Sequence, residues 1–187
     1  MKHFSIVILM LAAGISSIFA QQRPVNMTFS GIVERSQIDL QPGTVTDASE
    51  LAGSSSLGAF TFRGHHNDPG VPQSSSTCSG ATKVYFPILA GGGVFRFQGG
   101  SLMTVKVADG SLCIDFSVLL AQFTVTYQVT GGTGRFKNAS GTLVMKATWS
   151  PALYDSSNNA VLLTTSGSFE GNILGLPAGE EAQGERQ

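Results

Sequence analysis

The densest group of side chains that could do chemistry is the run His65-His66-Asn67-Asp68. Two imidazoles and a carboxylate could bind zinc or copper, or one histidine could act as a general base. Adjacent side chains of an extended segment point to opposite sides, however. The only other histidine in the sequence is His3, at the start of the chain. The run is therefore predicted to be an exposed polar loop beside the Pro69-Gly70 turn. His65, His66 and Asp68 are weak metal candidates, and no cofactor is expected.

Charged residues within apolar segments are a second source of chemistry, because a carboxyl group inside a barrel has a raised pKa and can transfer protons. The acidic examples are Asp115 and Glu170, and the basic ones are Arg96, Lys106 and Lys146. Asp115 alternates with Ile114 and Phe116, which predicts that it lies on the outward face of its strand, and Glu170 follows the same rule. No catalytic residue is assigned. The sequence contains no H-E-x-x-H zinc motif and no Walker loop, and no G-x-S-x-G segment is followed by the helix that a nucleophile elbow needs.

Three glycines, Gly131, Gly132 and Gly134, lie between two alternating segments. A glycine-rich loop can cradle phosphate, but that arrangement needs a helix after the glycines, and a strand pattern follows here. Glycine also allows the positive φ that a tight reversal needs. These residues are therefore predicted to form a structural turn in an antiparallel hairpin, with Arg135 exposed beside it.

Cys78 and Cys113 are the only cysteines. A redox or metal pair is the alternative, but the chain has no C-x-x-C motif and no histidine near either residue. Two cysteines in an exported chain predict one disulfide. The bond would close a loop of 35 residues (113 − 78), which stabilises a fold by about 3–4 kcal/mol.

Residues 1–20 have the pattern of a secretory signal peptide. Lys2 and His3 form a basic start, an apolar run follows, and Ala20 ends a plausible cleavage site before Gln21. The apolar run is shorter than the ~20 residues that span a membrane, so no membrane span is expected after cleavage. The mature protein is predicted to be secreted or periplasmic.

Residues 21–176 are predicted to form a single domain, followed by a disordered polar tail at 177–187. Charged residues make up 12% of the chain, about half of the usual ~25%. The formal net charge is −1 and no basic patch is present, which argues against nucleic acid as a partner. An outer-membrane barrel also has a signal peptide and alternating strands, but the polar tail, the single Trp149 and the lack of aromatic girdles favour a barrel surrounded by water.

Period-two alternation predicts about nine short strands, with hairpin signals at Gly99-Gly100 and Asp109-Gly110. Two polar stretches, residues 36–56 and 64–80, are longer than usual connections and are predicted to be mobile or functional loops. The pattern indicates an all-β protein, either an antiparallel, about eight-stranded up-and-down barrel or a β-sandwich.

The segment from Thr130 to Gly141, with its Gly-Gly-x-Gly-x-Phe pattern, resembles the allene oxide cyclase and dirigent barrels. It is also similar to exported bacterial proteins that carry the same segment. The resemblance implies an eight-stranded antiparallel barrel with a tapered apolar cavity, often in homo-oligomers. In those families the motif is a structural hairpin. The acidic residue and polar cluster that the plant cyclases use have no match here, so no catalytic residue is carried over.

Two function hypotheses follow. The first is an exported, non-enzymatic binding or structural module whose barrel cavity would hold a small apolar ligand, because the phenylalanines exceed what a small core requires. The phenylalanines expected to line the cavity are Phe29, Phe60, Phe62, Phe95, Phe97, Phe116, Phe123 and Phe169. The second is a cyclase-like or isomerase-like enzyme that shapes an apolar substrate, which a buried acid or tyrosine in the cavity would favour. A cavity fully packed with phenylalanine side chains would favour neither hypothesis and leave a structural protein.

Overall fold

The computed structural model describes residues 22–177. The predicted signal peptide and its cleavage site before Gln21 lie outside these residues, and so does the predicted disordered tail from residue 178 onward. No helix among residues 22–177 is long and apolar enough to cross a membrane.

Nine strands and one short 3-10 helix, Gly134–Phe136, make up the described chain. The strands are β1 (Arg23–Arg35), β2 (Val45–Ser55), β3 (Phe60–Asp68), β4 (Lys83–Pro87), β5 (Ala90–Phe97), β6 (Leu102–Asp115), β7 (Leu120–Gly132), β8 (Ser140–Tyr154) and β9 (Ala160–Leu174).

Eight of these strands close into an antiparallel barrel, which confirms the predicted fold class. The order around the barrel is β5-β3-β2-β1-β9-β8-β7-β6, and β6 pairs with both β7 and β5 to complete the circle. The extra strand, β4, pairs with residues 111–115 of β6, and β5 pairs with residues 102–106 of the same strand. Because β6 joins the two edges of the sheet, the structure is a barrel and not the alternative sandwich.

The alternation of side chains decides which residues fill the barrel. On β8, Leu143, Met145 and Trp149 are buried inside, whereas Lys146 and Thr148 between them are exposed outside. The same period of two holds for β1 and β7. The outer wall is consequently rich in Thr, Ser and charged residues, and the inner face is apolar.

Phenylalanine rings pack the middle of the barrel into a solid core. Phe95 lies at its centre, with its ring centroid 4.6 Å from that of Phe62 and 4.9 Å from that of Phe169. Of the eight phenylalanines predicted to line a cavity, only Phe116 borders the cavity at one end of the barrel. The other seven are buried in the core, where Phe123 packs directly beneath that cavity. Aromatic rings at these distances attract one another and exclude solvent.

The Gly131–Gly134 segment forms the predicted hairpin turn between β7 and β8 and closes one end of the barrel. Gly131 and Gly134 adopt positive φ, at 117° and 57°. Gly132 serves a different purpose, because a Cβ there would lie 1.9 Å from the carbonyl oxygen of Leu102. We call this end of the barrel the closed end.

Arg135 is not exposed, and that prediction is wrong. Its guanidinium carbon lies 5.2 Å from the ring centroid of Phe97 and 5.0 Å from that of Phe136, and it donates a hydrogen bond to the carbonyl oxygen of Leu57. The 3-10 helix turns the chain back over the barrel and carries Arg135 onto these rings. Arg135 therefore seals the closed end.

Two predictions about loops are corrected. Residues 45–55 form strand β2, although residues 36–56 were predicted to be a loop; the inward side chains Asp47 and Ser49 are polar, which hides the alternation. Asp109-Gly110 is no hairpin: β6 continues through it, and a register shift between Val107 and Asp109 absorbs the irregularity. Bulges of this kind bend a strand without ending it.

The predicted disulfide joins Cys78 and Cys113, with 5.7 Å between the Cα atoms. Cys113 lies on β6, and Cys78 lies on the connection between β3 and β4. The bond therefore fastens this long connection to the barrel wall.

Candidate functional site

A cavity of about 630 Å³ occupies the end of the barrel opposite the closed end. We call this end the open end. Here β1, β3, β6 and β8 finish, and β2, β7 and β9 begin, so seven barrel strands contribute side chains. The phenylalanine core stops below it, and the cavity opens to solvent between the connecting loops.

One wall of the cavity is polar, and three neighbouring strands build it. Strand register places Arg35 of β1 opposite Asp47 of β2, and Asp47 opposite His66 of β3. Asp68 follows two residues after His66 and so points inward as well. Arg35, Asp47 and Asp68 line the cavity, and His66 lies just beneath it.

His66 forms the floor together with two aromatic rings. The imidazole is 2% exposed, and its centroid lies 4.6 Å from that of Phe123 and 5.5 Å from that of Trp149. The Nε2 atom of His66 lies 3.6 Å from Oδ2 of Asp47, too far for a good hydrogen bond. The imidazole is thus packed between aromatic rings on one side and the Asp47 carboxylate on the other.

Three buried polar atoms on the floor have no hydrogen-bond partner among residues 22–177. They are Nε2 of His66, Nε1 of Trp149 and Oγ1 of Thr165. Trp149 and Thr165 are opposite each other on β8 and β9, and Trp149 contacts His66. Buried donors and acceptors are normally satisfied, so three of them close together set this floor apart from the apolar core below it.

Burial raises the pKa of Asp68 above its ordinary value of 3.8, and the nearby charge of Asp47 raises it further. A hydrogen bond of 2.7 Å from the backbone N–H of Gly70, together with His66 and Arg35, works in the opposite direction. Asp68 consequently retains its proton more readily than a carboxyl group in water.

The opposite wall of the cavity is apolar. It consists of side chains from β4 and β6–β9, among them Phe86, Leu112, Ile114, Ala121 and Leu163. The cavity thus has two chemical faces, one for hydrogen bonds and charge and one for hydrocarbon. Tyr127 is not part of it: burial in the core raises its pKa and keeps its hydroxyl protonated below the floor.

The predicted polar loop at His65-His66-Asn67-Asp68 is instead the last part of strand β3, and that prediction is wrong. His66, Asn67 and Asp68 are buried, and only His65 is exposed on the outer wall. Asn67 is covered by the β1–β2 loop, where it donates a hydrogen bond to Thr44. In residues 22–177 no three His, Cys, Asp or Glu side chains are grouped so that they could hold a metal ion.

The remaining predicted residues lie outside the cavity. Glu170 is exposed on the outer wall beside Lys146, and Asp115 is at the rim, where it accepts hydrogen bonds from Thr82 and Ser117. These hydrogen bonds, chiefly from Ser117, lower the pKa of Asp115. Gly131, Gly132 and Gly134 are at the closed end and the Cys78–Cys113 disulfide is on the outer side of β6, so neither contributes a side chain to the cavity.

Sequence reasoning did not identify Arg35, Asp47 and Trp149 as site residues. Asp47 lies in a segment predicted to be a loop, and Arg35 is at the end of a strand where the alternation runs out. The alternation of Val45, Asp47 and Ser49 with more outward residues was the available signal, but polar inward residues obscure it. No family model matches this chain, and a search of curated proteins finds no match.

Proposed function

We propose that this chain is an exported, non-enzymatic barrel that binds a small, largely apolar ligand in the cavity at its open end. The observation that carries the proposal is the division of one cavity into an apolar wall and a polar wall above a floor of unpartnered polar atoms. The disulfide supports export, because such bonds persist in oxidising compartments.

The size and chemistry of the cavity indicate an amphipathic ligand. A volume of about 630 Å³ lies within the range of small-molecule sites. The hydrocarbon part of the ligand would lie against Leu112, Ile114 and Leu163, where burial of apolar surface drives binding. One polar group of the ligand would reach Asp47 or Asp68, with Trp149 and Thr165 beneath it.

Trp149 provides a direct measurement of ligand binding, because it is the only tryptophan and lies at the cavity floor. Titration with the neutral apolar dye N-phenylnaphthylamine should quench Trp149 emission by energy transfer and raise dye emission. Long-chain alcohols and similar amphiphiles should then displace the dye. Ala121→Phe places a ring in the cavity and should weaken dye affinity about tenfold or more.

Gln122→Phe is the matched control, because it adds the same ring to the outer wall of the same strand. This variant should bind the dye as the unmodified chain does. Equal affinity of Ala121→Phe and the unmodified chain, or no saturable dye binding at all, would refute the proposed site.

A proton-transferring isomerase is the second candidate, and the environment of Asp68 favours it. A carboxyl group with a raised pKa beside an apolar wall is suited to protonating or deprotonating a bound carbon skeleton. Asp68→Asn distinguishes the two functions: an enzyme would keep its ligand affinity and lose turnover, and a binding module has no turnover to lose.

A further inference from the structure

We propose that the open end of the barrel docks on the surface of a lipid bilayer. The interaction surface is an apolar rim around the cavity mouth, and its partner is the boundary between headgroups and acyl chains. This inference goes beyond ligand binding and does not depend on it, although the two together would let an apolar ligand pass between bilayer and cavity without crossing water.

The apolar rim consists of six side chains, each more than half exposed. They are Ile38, Val71, Phe116, Val118, Leu119 and Leu153, the six most exposed large apolar residues in the described part of the chain. Five of them lie on the β1–β2, β3–β4 and β6–β7 connections, and Leu153 lies near the end of β8. Exposed apolar residues scattered singly are ordinary, but a set gathered at one end of a molecule marks an interaction site.

The closed end of the barrel differs from the open end in its exposed apolar side chains. Its three connections, residues 56–59, 98–101 and 133–139, carry no exposed large apolar side chain. Leu57 and Phe136 are turned inward and buried there. Exposed apolar loops are therefore not a general property of this chain but a property of its open end.

Leu119 adds an independent observation from the backbone. It lies at the end of the β6–β7 connection with φ of 51°, a left-handed conformation that Gly or Asn adopts readily and that a leucine side chain opposes. The side chain is 53% exposed and borders the mouth of the cavity. Strain retained at an exposed apolar residue is typical of a residue kept for its contacts with a partner.

The shape of the rim favours a bilayer over a second copy of the chain. Protein interfaces are packed about as densely as protein interiors. Two rims pressed face to face would enclose two open cavities of about 630 Å³ each, and their apolar residues lie on three loops and the end of β8 rather than on one flat face. Fluid acyl chains can pack around apolar side chains that lie apart from one another and around the entrance of the cavity.

The charges around the open end and the direction of the first and last strands agree with docking through the open end. The charged residues at the open end, including those that line the cavity, are Arg35, Asp39, Asp47, Asp68, Lys83, Asp115 and Asp155, two basic and five acidic. Docking should therefore depend on apolar insertion and not on anionic lipid. Strand β1 begins and β9 ends at the closed end, away from the rim.

Flotation with phosphatidylcholine vesicles tests the proposal on the chain from Gln21 to Gln187. The rim variant carries Ile38→Ser, Val118→Ser and Leu153→Ser, none of which lines the cavity. Its vesicle partition coefficient should fall about tenfold or more, because three apolar side chains no longer insert. The control variant carries Ile32→Ser and Val94→Ser, exposed apolar residues on the outer wall of β1 and β5, and should partition as the unmodified chain does.

Leu119→Asn separates docking from folding. Asn tolerates the left-handed backbone, so the urea midpoint should stay equal or rise while vesicle partitioning falls. Equal loss in the rim and control variants, or binding that requires anionic lipid and disappears in high salt, would overturn the proposal. So would a dimer in ultracentrifugation that the rim variant dissociates, with no vesicle binding. Dye binding without vesicle binding would overturn docking and leave the proposed ligand site standing.

Discussion

Two aspartates near the open end show how position alone reverses the behaviour of one residue type. Asp68 is buried beside Asp47, and this burial raises its pKa. Asp115 is at the rim, where hydrogen bonds from Ser117 and Thr82 stabilise its charged form and lower its pKa. The same carboxyl group is thus more easily protonated in one place and less easily in the other.

The free energy of unfolding should consequently respond to pH in opposite directions at these two residues. The folded state holds the Asp68 proton above the unfolded pKa of 3.8, so the contribution of Asp68 is greatest below that pH and is lost as pH rises through the folded pKa. For Asp115 the contribution is present above 3.8 and is lost as pH falls through its lowered pKa.

Urea unfolding from about pH 3 to about pH 7 measures this difference in the unmodified chain, Asp68→Asn and Asp115→Asn. The stability advantage of the unmodified chain over Asp68→Asn should shrink with rising pH, and its advantage over Asp115→Asn should grow. Parallel curves for the two variants would show that burial does not set the pKa of Asp68.

The sequence could identify His66 and Asp68 as notable residues but could not assemble the site. Their partners Arg35 and Asp47 lie on neighbouring strands, and only the closed register of β1, β2 and β3 brings the four together. A contact between strands depends on long-range pairing, which composition and local periodicity do not encode.

At the scale of elements, sequence prediction succeeded where a strand has an apolar inner face. β7 and β8 alternate cleanly, and the turn between them has the glycines that a reversal needs. β2 was missed, because its inner face carries Asp47 and Ser49 where it borders the site. Local reasoning therefore fails at the strands that build the polar wall.

The β7–β8 connection gives a prediction in which a backbone contact and a side-chain contact both matter. Gly132→Ala forces a Cβ against the carbonyl of Leu102 and should cost about 1–3 kcal/mol. Arg135→Ala should cost a similar ~1–3 kcal/mol, because it removes the hydrogen bond to buried Leu57 and uncovers Phe97 and Phe136.

Lys137→Ala is the control, since its side chain is exposed two residues further on and should change stability by less than ~0.5 kcal/mol. Urea midpoints rank the three variants. A cost for Arg135→Ala as small as that for Lys137→Ala would mean that the closed end is sealed by the phenylalanines alone.

On the scale of the whole molecule, the barrel is divided into a packed part and an open end. The middle and closed end hold tightly packed rings, in which Phe97 lies 4.7 Å from Phe136. The open end holds the cavity and most of the exposed apolar surface. The packed middle and closed end can hold the strands in fixed register. The strand ends around the cavity can therefore remain unpacked.

This division predicts that core and rim substitutions affect different measurements. Phe95→Leu removes ring contacts with Phe62, Phe97 and Phe169 and should lower the free energy of unfolding by about 1–3 kcal/mol. Because Phe95 lies below the floor, dye affinity at a temperature where the variant is folded should stay unchanged. Phe116→Ser at the rim should show the reverse: a stability change within about 0.5 kcal/mol and weaker partitioning into vesicles. Thermal unfolding, dye titration and flotation on the same two proteins provide the comparison. Weaker dye binding in folded Phe95→Leu would show that the core and the cavity form one coupled unit, and the division between the two ends would then be wrong.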